Sequence, residues 1–144
     1  MKKGYTEEWV HQRLLAIRIR NELTDEWQKR GVEKGKEYAI LTDEITRAWA
    51  GMSTGQYKRL KGLKKENLRD NMSDLELVLT MLAEASTTGI SKEEQPEGFS
   101  DSQKVARRGG RVAGVARQAL EAETGGRSSQ RRTRQTSGSL SPIL

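Results

Sequence analysis

The chain has 144 residues, of which 33% are hydrophobic, 5% aromatic and 32% charged, with two prolines and no cysteine. This composition favours a thin helical core over a sheet sandwich, and it excludes disulfides, thiolate metal sites and a cysteine nucleophile. The formal net charge is +6, but 127–144 contain four arginines and no acid, so the charge gives weak support to nucleic-acid binding by the preceding residues.

The first predicted element is a long helix over 6–30. Thr6 can cap its N-terminus, acidic residues occupy the first turn, and Gly31 follows its last basic residues. Apolar side chains recur at helical spacing and predict one buried face. This stripe consists of Val10, Leu14, Ile17 and Asn21, with Trp9 and Trp27 beside it.

The next stretch is predicted to form short helices separated by glycines. The apolar run 38–41 is too short to decide between a strand and a helical segment. A helix over 44–50 ends at Gly51, and Ser53 caps another over 55–61. Because two-turn helices are unstable alone in water, their order must come from packing against the first helix.

The fourth predicted helix is the most apolar in the chain and is expected to be central. The run SDLE at 73–76 matches a capping box, in which the serine and glutamate side chains satisfy each other's backbone N–H groups. The helix over 74–85 presents one apolar face, formed by Leu75, Val78, Leu79 and Leu82. Ser91 begins a second capping-box pattern, which predicts about one further turn of helix before Pro96.

The last predicted helix, over 101–123, contains Gly109, Gly110 and Gly114. Each glycine costs about 1 kcal/mol of helix stability relative to alanine, so their presence needs a reason. With nearby alanines they form a small-residue face suited to close helix packing, within the chain or across a homo-oligomer. A local kink is the other interpretation. We expect self-association, with these three glycines as interface residues.

Together these elements predict an all-α fold, a small helical domain over 1–126 with about five helices, of which the first and the last are long. The segment 127–144 is rich in arginine, serine and threonine. It cannot bury enough apolar surface to offset the entropy of ordering, so we predict a disordered basic tail that is dispensable for folding.

No catalytic constellation is recognisable. His11 is the only histidine, and a hydrolase or a metal site would need partners that its neighbours do not provide. Adjacent carboxylates such as Glu93 and Glu94 point in different directions on a helix, so they do not form a catalytic pair. The paired glycines lack the lysine and hydroxyl of a phosphate loop, so they give weak support to nucleotide binding. We predict a cytoplasmic non-enzyme with no cofactor, no metal and no membrane segment, since no run of about 18 apolar residues occurs.

A dense basic patch lies between residues 58 and 69. Its six cations are Lys58, Arg59, Lys61, Lys64, Lys65 and Arg69. We predict that this patch binds phosphates or an acidic protein surface. The alternative is a solvated basic loop between two helices, whose charge balances the acids that follow it.

Four segments follow one another in a recognisable order. They are YAILT at 38–42, YKRLKGLKK at 57–65, RDNMSDLEL at 69–77 and the closing helix over 105–125. In this order, over about 13–126, the chain resembles the C-terminal region of DNA-damage-inducible protein D and of related phage antirepressor-like proteins. Members of that family carry a BRO-type domain ahead of this region, whereas here Met1 is followed almost directly by the first helix.

The resemblance implies a role in the DNA-damage response or in prophage control, by modulating recombinase filaments or relieving a repressor. The implied partner is a recombinase, a repressor or a separately encoded BRO-type protein, and the family implies no active-site residues. Our hypothesis is a non-enzymatic regulatory protein-interaction module of this kind. The alternative hypothesis is direct nucleic-acid binding through the basic patch and the arginines of the tail.

Overall fold

Five α-helices and one 3-10 turn make up most of the described chain. The computed structural model describes residues 5–125 and contains no strand within that range. The elements are α1 (Glu7–Lys29), α2 (Lys36–Ala50), α3 (Thr54–Leu60), the 3-10 turn (Arg69–Asn71), α4 (Asp74–Glu94) and α5 (Gly98–Thr124). The predicted all-α fold with a long first and a long last helix is confirmed, while the predicted tail over 127–144 lies outside the described residues.

Several helix ends follow the predicted capping signals, but three do not. Helix α2 begins at Lys36 rather than 44 and α5 at Gly98 rather than 101, both without a side-chain cap, and α4 continues to Glu94 rather than 85. Thr6 caps α1 by accepting a backbone N–H hydrogen bond of 3.0 Å. Ser53 and Ser73 each form a complete capping box, in which the side chain three residues further on returns the hydrogen bond. Helix α2 ends at Gly51, whose φ of 76° lies in the left-handed region that glycine adopts without strain.

Helix α4 packs against both α1 and α5, and α2 packs across α5 while also contacting α4. Helix α3 joins this arrangement through an edge-to-face contact between Trp49 and Tyr57, whose ring centroids lie 5.9 Å apart. The buried apolar core runs through all five helices and includes Leu23, Trp27, Leu41, Ile45, Leu77, Leu79, Ala83, Ala106 and Ala113. The undecided run 38–41 is helical and belongs to α2.

The predicted buried faces of α1 and α4 are partly wrong. Leu14 is 58% exposed and Ile17 also lies on the surface of α1, and Val78, at 43%, and Leu82 are exposed on α4. Helix α1 instead buries Ala16, Leu23, Glu26 and Trp27. The face that α1 buries is therefore a different one from the predicted stripe, and it includes an acidic residue.

Helix α4 buries polar positions that periodicity alone assigns to solvent. The hydroxyls of Thr80, Thr87 and Thr88 each donate a hydrogen bond to the carbonyl oxygen four residues earlier. Because these bonds satisfy the hydroxyls within the helix, the side chains can be buried without leaving a polar group unpaired. The packed face of α4 therefore contains threonines as well as Leu77 and Ala83, and Val78 and Leu82 lie outside it.

The second predicted capping box, at Ser91, is wrong because α4 continues to Glu94. Ser91 lies inside the helix, and its hydroxyl donates to Oε2 of Glu26 at 2.7 Å. Gln95, just before Pro96, is the C-cap of the helix and has a positive φ of 52°. The serine thus connects α4 to α1 instead of starting a new helix.

The glycine face of α5 packs inside the chain. Gly109 contacts α4 at Thr87, and Gly110 and Gly114 contact α2 at Ala48 and its neighbours. All three glycines are buried. Of the interpretations considered, close packing within the chain is the one observed. The prediction that Gly109, Gly110 and Gly114 are interface residues for self-association is wrong, because α2 and α4 already cover that face.

Leu79 lies on the buried face of α4, where its side chain is 4% exposed, and a substitution there tests which face of the helix is buried. We expect Leu79→Ala to lower the free energy of unfolding by about 2–5 kcal/mol, because the loss of burial and the resulting cavity add together. Val78→Ala, on the exposed face of the same helix, is the matched control, with an expected change below about 1 kcal/mol. Urea denaturation measures both, and equal losses would contradict the assigned faces.

Candidate functional site

A cleft of about 340 Å³ opens between α2, α3, α4 and the loop that joins α3 to α4. Lys58 of α3 and Lys65 of the loop line it, together with Arg69 of the 3-10 turn and Glu84 of α4. Apolar side chains line other parts of the wall, namely Ile45, Trp49, Leu68 and Met72. The cleft therefore combines charged groups with an apolar surface, which is typical of binding sites in proteins.

The floor of the cleft is a buried ion cluster around Glu84. The Glu84 side chain is 2% exposed, and its carboxylate accepts hydrogen bonds from Arg20 of α1 at 3.1 Å and from Arg69 at 3.0 Å. Arg20 also donates to Oγ1 of Thr42 in α2 at 2.7 Å. Charge-assisted hydrogen bonds thus connect α1, α2, α4 and the 3-10 turn at one point.

The two arginines respond differently to this environment. Burial lowers the pKa of Arg20 despite the attraction of Glu84, and the positive charge of Arg69 adds to the lowering. Burial also lowers the pKa of Arg69, but the attraction and hydrogen bonds of Glu84 outweigh it, so the net pKa is raised. Because a guanidinium stays charged in proteins, the floor holds two cations against one carboxylate.

A second buried glutamate, Glu76 of α4, turns Lys61 inward. Lys61 Nζ lies 2.9 Å from Oε1 of Glu76, and the hydroxyl of Tyr57 donates to Oε2. Burial, and then the negative charge of Glu76, raise the pKa of Tyr57 well above its ordinary value. The Tyr57 hydroxyl therefore keeps its proton and acts as a hydrogen-bond donor.

The predicted basic patch does not form one surface, and this is a correction. Lys61 and Arg69 form ion pairs with buried glutamates of α4, and Arg69 also lines the cleft, as Lys58 and Lys65 do. The other two cations are exposed and do not line the cleft: Arg59 and Lys64. Spacing along the chain could not separate these roles, because the carboxylates that bind two of the cations belong to another helix.

A third buried glutamate, Glu26, connects α1 to the end of α4. Its Oε2 accepts hydrogen bonds from Nε of Arg30 and from the hydroxyl of Ser91, both at 2.7 Å. Burial raises the pKa of Glu26, but the hydrogen bonds from Arg30 and Ser91 outweigh it and hold the pKa below its ordinary value. This glutamate lies away from the cleft and stabilises the fold.

The lowered pKa of Glu26 predicts a pH dependence of stability. A carboxylate with a lowered folded-state pKa contributes stability above its unfolded pKa, and the contribution is lost as the pH falls through the folded pKa. We expect Glu26→Gln to lower the melting temperature at pH 7 and the difference from wild type to shrink below about pH 4. Thermal scans at several pH values, with exposed Glu93→Gln as control, measure this. A difference that stays constant with pH would contradict it.

Within residues 5–125, no group of three or more His, Asp or Glu side chains is arranged to hold a metal ion. His11 is exposed on α1. None of the helices over the same range combines the length and the apolar character needed to cross a bilayer. Comparison of the chain with known proteins found no matching family model and no matching curated protein.

Proposed function

We propose that this chain is a non-enzymatic regulatory module that binds a protein of the DNA-damage response or of prophage control. It would act on a recombinase filament as a modulator or on a repressor as an antirepressor. One observation carries the proposal. Three of the segments on which the family resemblance rests, 38–42, 57–65 and 69–77, each contribute to the lining of one cleft, although the first belongs to a different helix from the other two.

Each of these segments contributes a side chain to that cleft. Thr42 comes from the first segment, Lys58 and Lys65 from the second, and Arg69 from the third. Charged groups that are fixed by buried partners and placed beside an apolar wall suit the recognition of a complementary protein surface. This convergence supports binding at the cleft as the shared property of the segments.

The experiment adds the purified chain to two reconstituted systems, bacterial recombinase filaments on single-stranded DNA and a phage repressor on its operator. We expect a change in strand-exchange rate or in operator occupancy. Lys58→Glu/Lys65→Glu should lose the effect. Lys36→Glu/Lys104→Glu, which makes the same charge change at exposed positions outside the cleft, should keep it. No response in either system at saturating protein would overturn the proposal.

Direct DNA binding is the outcome that would replace this proposal. If the exposed cations and the tail arginines bind phosphates, duplex affinity should fall steeply with salt, by about 0.9 log units per contacted phosphate for each tenfold rise in salt. We expect negligible affinity near physiological salt, because Lys61 and Arg69 are engaged by Glu76 and Glu84. Tight, salt-sensitive duplex binding would instead support the alternative.

A further inference from the structure

We infer that the cleft binds an acidic side chain of a peptide segment in which aspartate or glutamate stands beside an apolar residue. This inference rests on the proposed function and names the chemistry of its partner. The ligand is a short acidic segment of another protein, inserted between Lys58 and Lys65 toward the floor formed by Arg69 and Glu84.

The ion cluster around Glu84 carries a net positive charge. Arg69 and Glu84 line the cleft, and Arg20, which does not line it, shares the carboxylate of Glu84, so the cluster as a whole carries one positive charge in excess. Both guanidinium groups are largely withdrawn from solvent, with side chains 24% and 19% exposed. Charges in such a setting are screened less than surface charges, so the net charge of this cluster acts on a carboxylate that enters the cleft.

Two lysines and one glutamate form the rim of the cleft. Lys58 and Lys65 line the cleft together with Glu66, whose backbone hydrogen bonds, above all that from the N–H of Lys64, lower its pKa and keep it ionised. Glu66 offsets one of the two lysines and Glu84 offsets Arg69, so the charged side chains that line the cleft sum to one positive charge. This net charge favours an anion over a neutral or cationic group.

The concave shape and the apolar lining of the cleft suit a peptide better than a nucleic acid. Leu68 and Met72 also line the cleft, and their apolar surface can contact the apolar neighbour of an acidic residue but not a phosphate backbone. Duplex phosphates lie on a broad convex surface and are usually met by open basic faces. A concave cleft of about 340 Å³ instead suits single side chains, as in the recognition of acidic motifs by arginine clusters.

The test measures fluorescence polarisation of a labelled twelve-residue peptide, in which aspartates flank a central leucine, against the full chain. We expect saturable binding that weakens with salt, and loss of at least about tenfold in affinity for Lys58→Glu/Lys65→Glu. The variant Lys36→Glu/Lys104→Glu should bind as wild type does. A peptide with asparagine in place of each aspartate should bind at least about tenfold more weakly.

Three outcomes would overturn the inference: no binding by the wild-type chain, equal loss in both double variants, or displacement of the peptide by a duplex oligonucleotide more effectively than by unlabelled peptide. Thermal melting of both variants confirms that they are folded. The proposed function fails separately, when the wild-type chain alters neither the recombinase nor the repressor system. If the cleft variant still acts in those systems but no longer binds the peptide, the inferred ligand is wrong and the proposed function stands.

Discussion

Gly109→Ala is expected to destabilise the domain by more than about 3 kcal/mol, at or above the upper end of overpacking costs. A Cβ placed on Gly109 would lie 2.7 Å from the backbone N and Cα of Thr87 and would overlap its hydroxyl. Because these backbone atoms lie within α4, they cannot move without separating α4 from α5. Urea denaturation followed by circular dichroism measures the loss.

The matched control is Gly89→Ala on α4. A Cβ at Gly89 would meet nothing within 4 Å. We expect this change to raise the free energy of unfolding by about 1 kcal/mol, because alanine favours the helix and restricts the unfolded chain. The same substitution should thus have opposite signs at the two positions. If Gly109→Ala is tolerated as well as Gly89→Ala, the close packing of α5 on α4 is wrong.

Glu84→Gln is expected to cost about 3–5 kcal/mol, because it leaves two largely buried guanidinium groups without a counter-charge. The glutamine keeps the shape of the side chain, so the loss reports the charge and not a cavity. Restoring an apolar cluster by replacing Arg20, Arg69 and Glu84 together with methionine or leucine should recover part of the loss. Chemical denaturation at pH 7 gives both values.

Glu94→Gln is the control for that experiment. Glu94 forms two hydrogen bonds with Arg108, at 2.6 and 2.8 Å, but both side chains are nearly half exposed. Exposed ion pairs contribute little to stability, so this change should leave the unfolding midpoint almost unchanged. If Glu84→Gln is as mild as Glu94→Gln, Glu84 is not the buried centre of the cluster.

Several helix ends could be predicted from sequence, because a capping signal is local. Helices α2 and α5, which start without a side-chain cap, begin before the predicted positions. Ser53 and Ser73 each need only a partner three residues away, and Gly51 needs only its own backbone freedom. The buried faces could not be predicted as well. Periodicity assigns the most apolar stripe to the core, whereas α4 buries threonines whose hydroxyls bond within the helix and exposes Val78 and Leu82.

The candidate site was predicted only in part. Of the basic patch at 58–69, Lys58, Lys65 and Arg69 line the cleft, and their role in binding stays a prediction. The roles of Lys61 and Arg69 could not be predicted, because they depend on carboxylates of α4 that approach only in the folded chain. Periodicity gave no signal at Glu84, because the face of α4 that it shares with Thr80 was not predicted to be buried.

The most direct test of a protein partner at the cleft is lysine footprinting of the full chain with an amine-reactive reagent, read by mass spectrometry. The measurement compares the free chain with the chain bound to purified recombinase filaments or repressor. We expect protection of Lys58 and Lys65, with unchanged modification of Lys36 and Lys104. Unchanged modification of Lys58 and Lys65 in a complex that protects other lysines would contradict a functional role of the cleft.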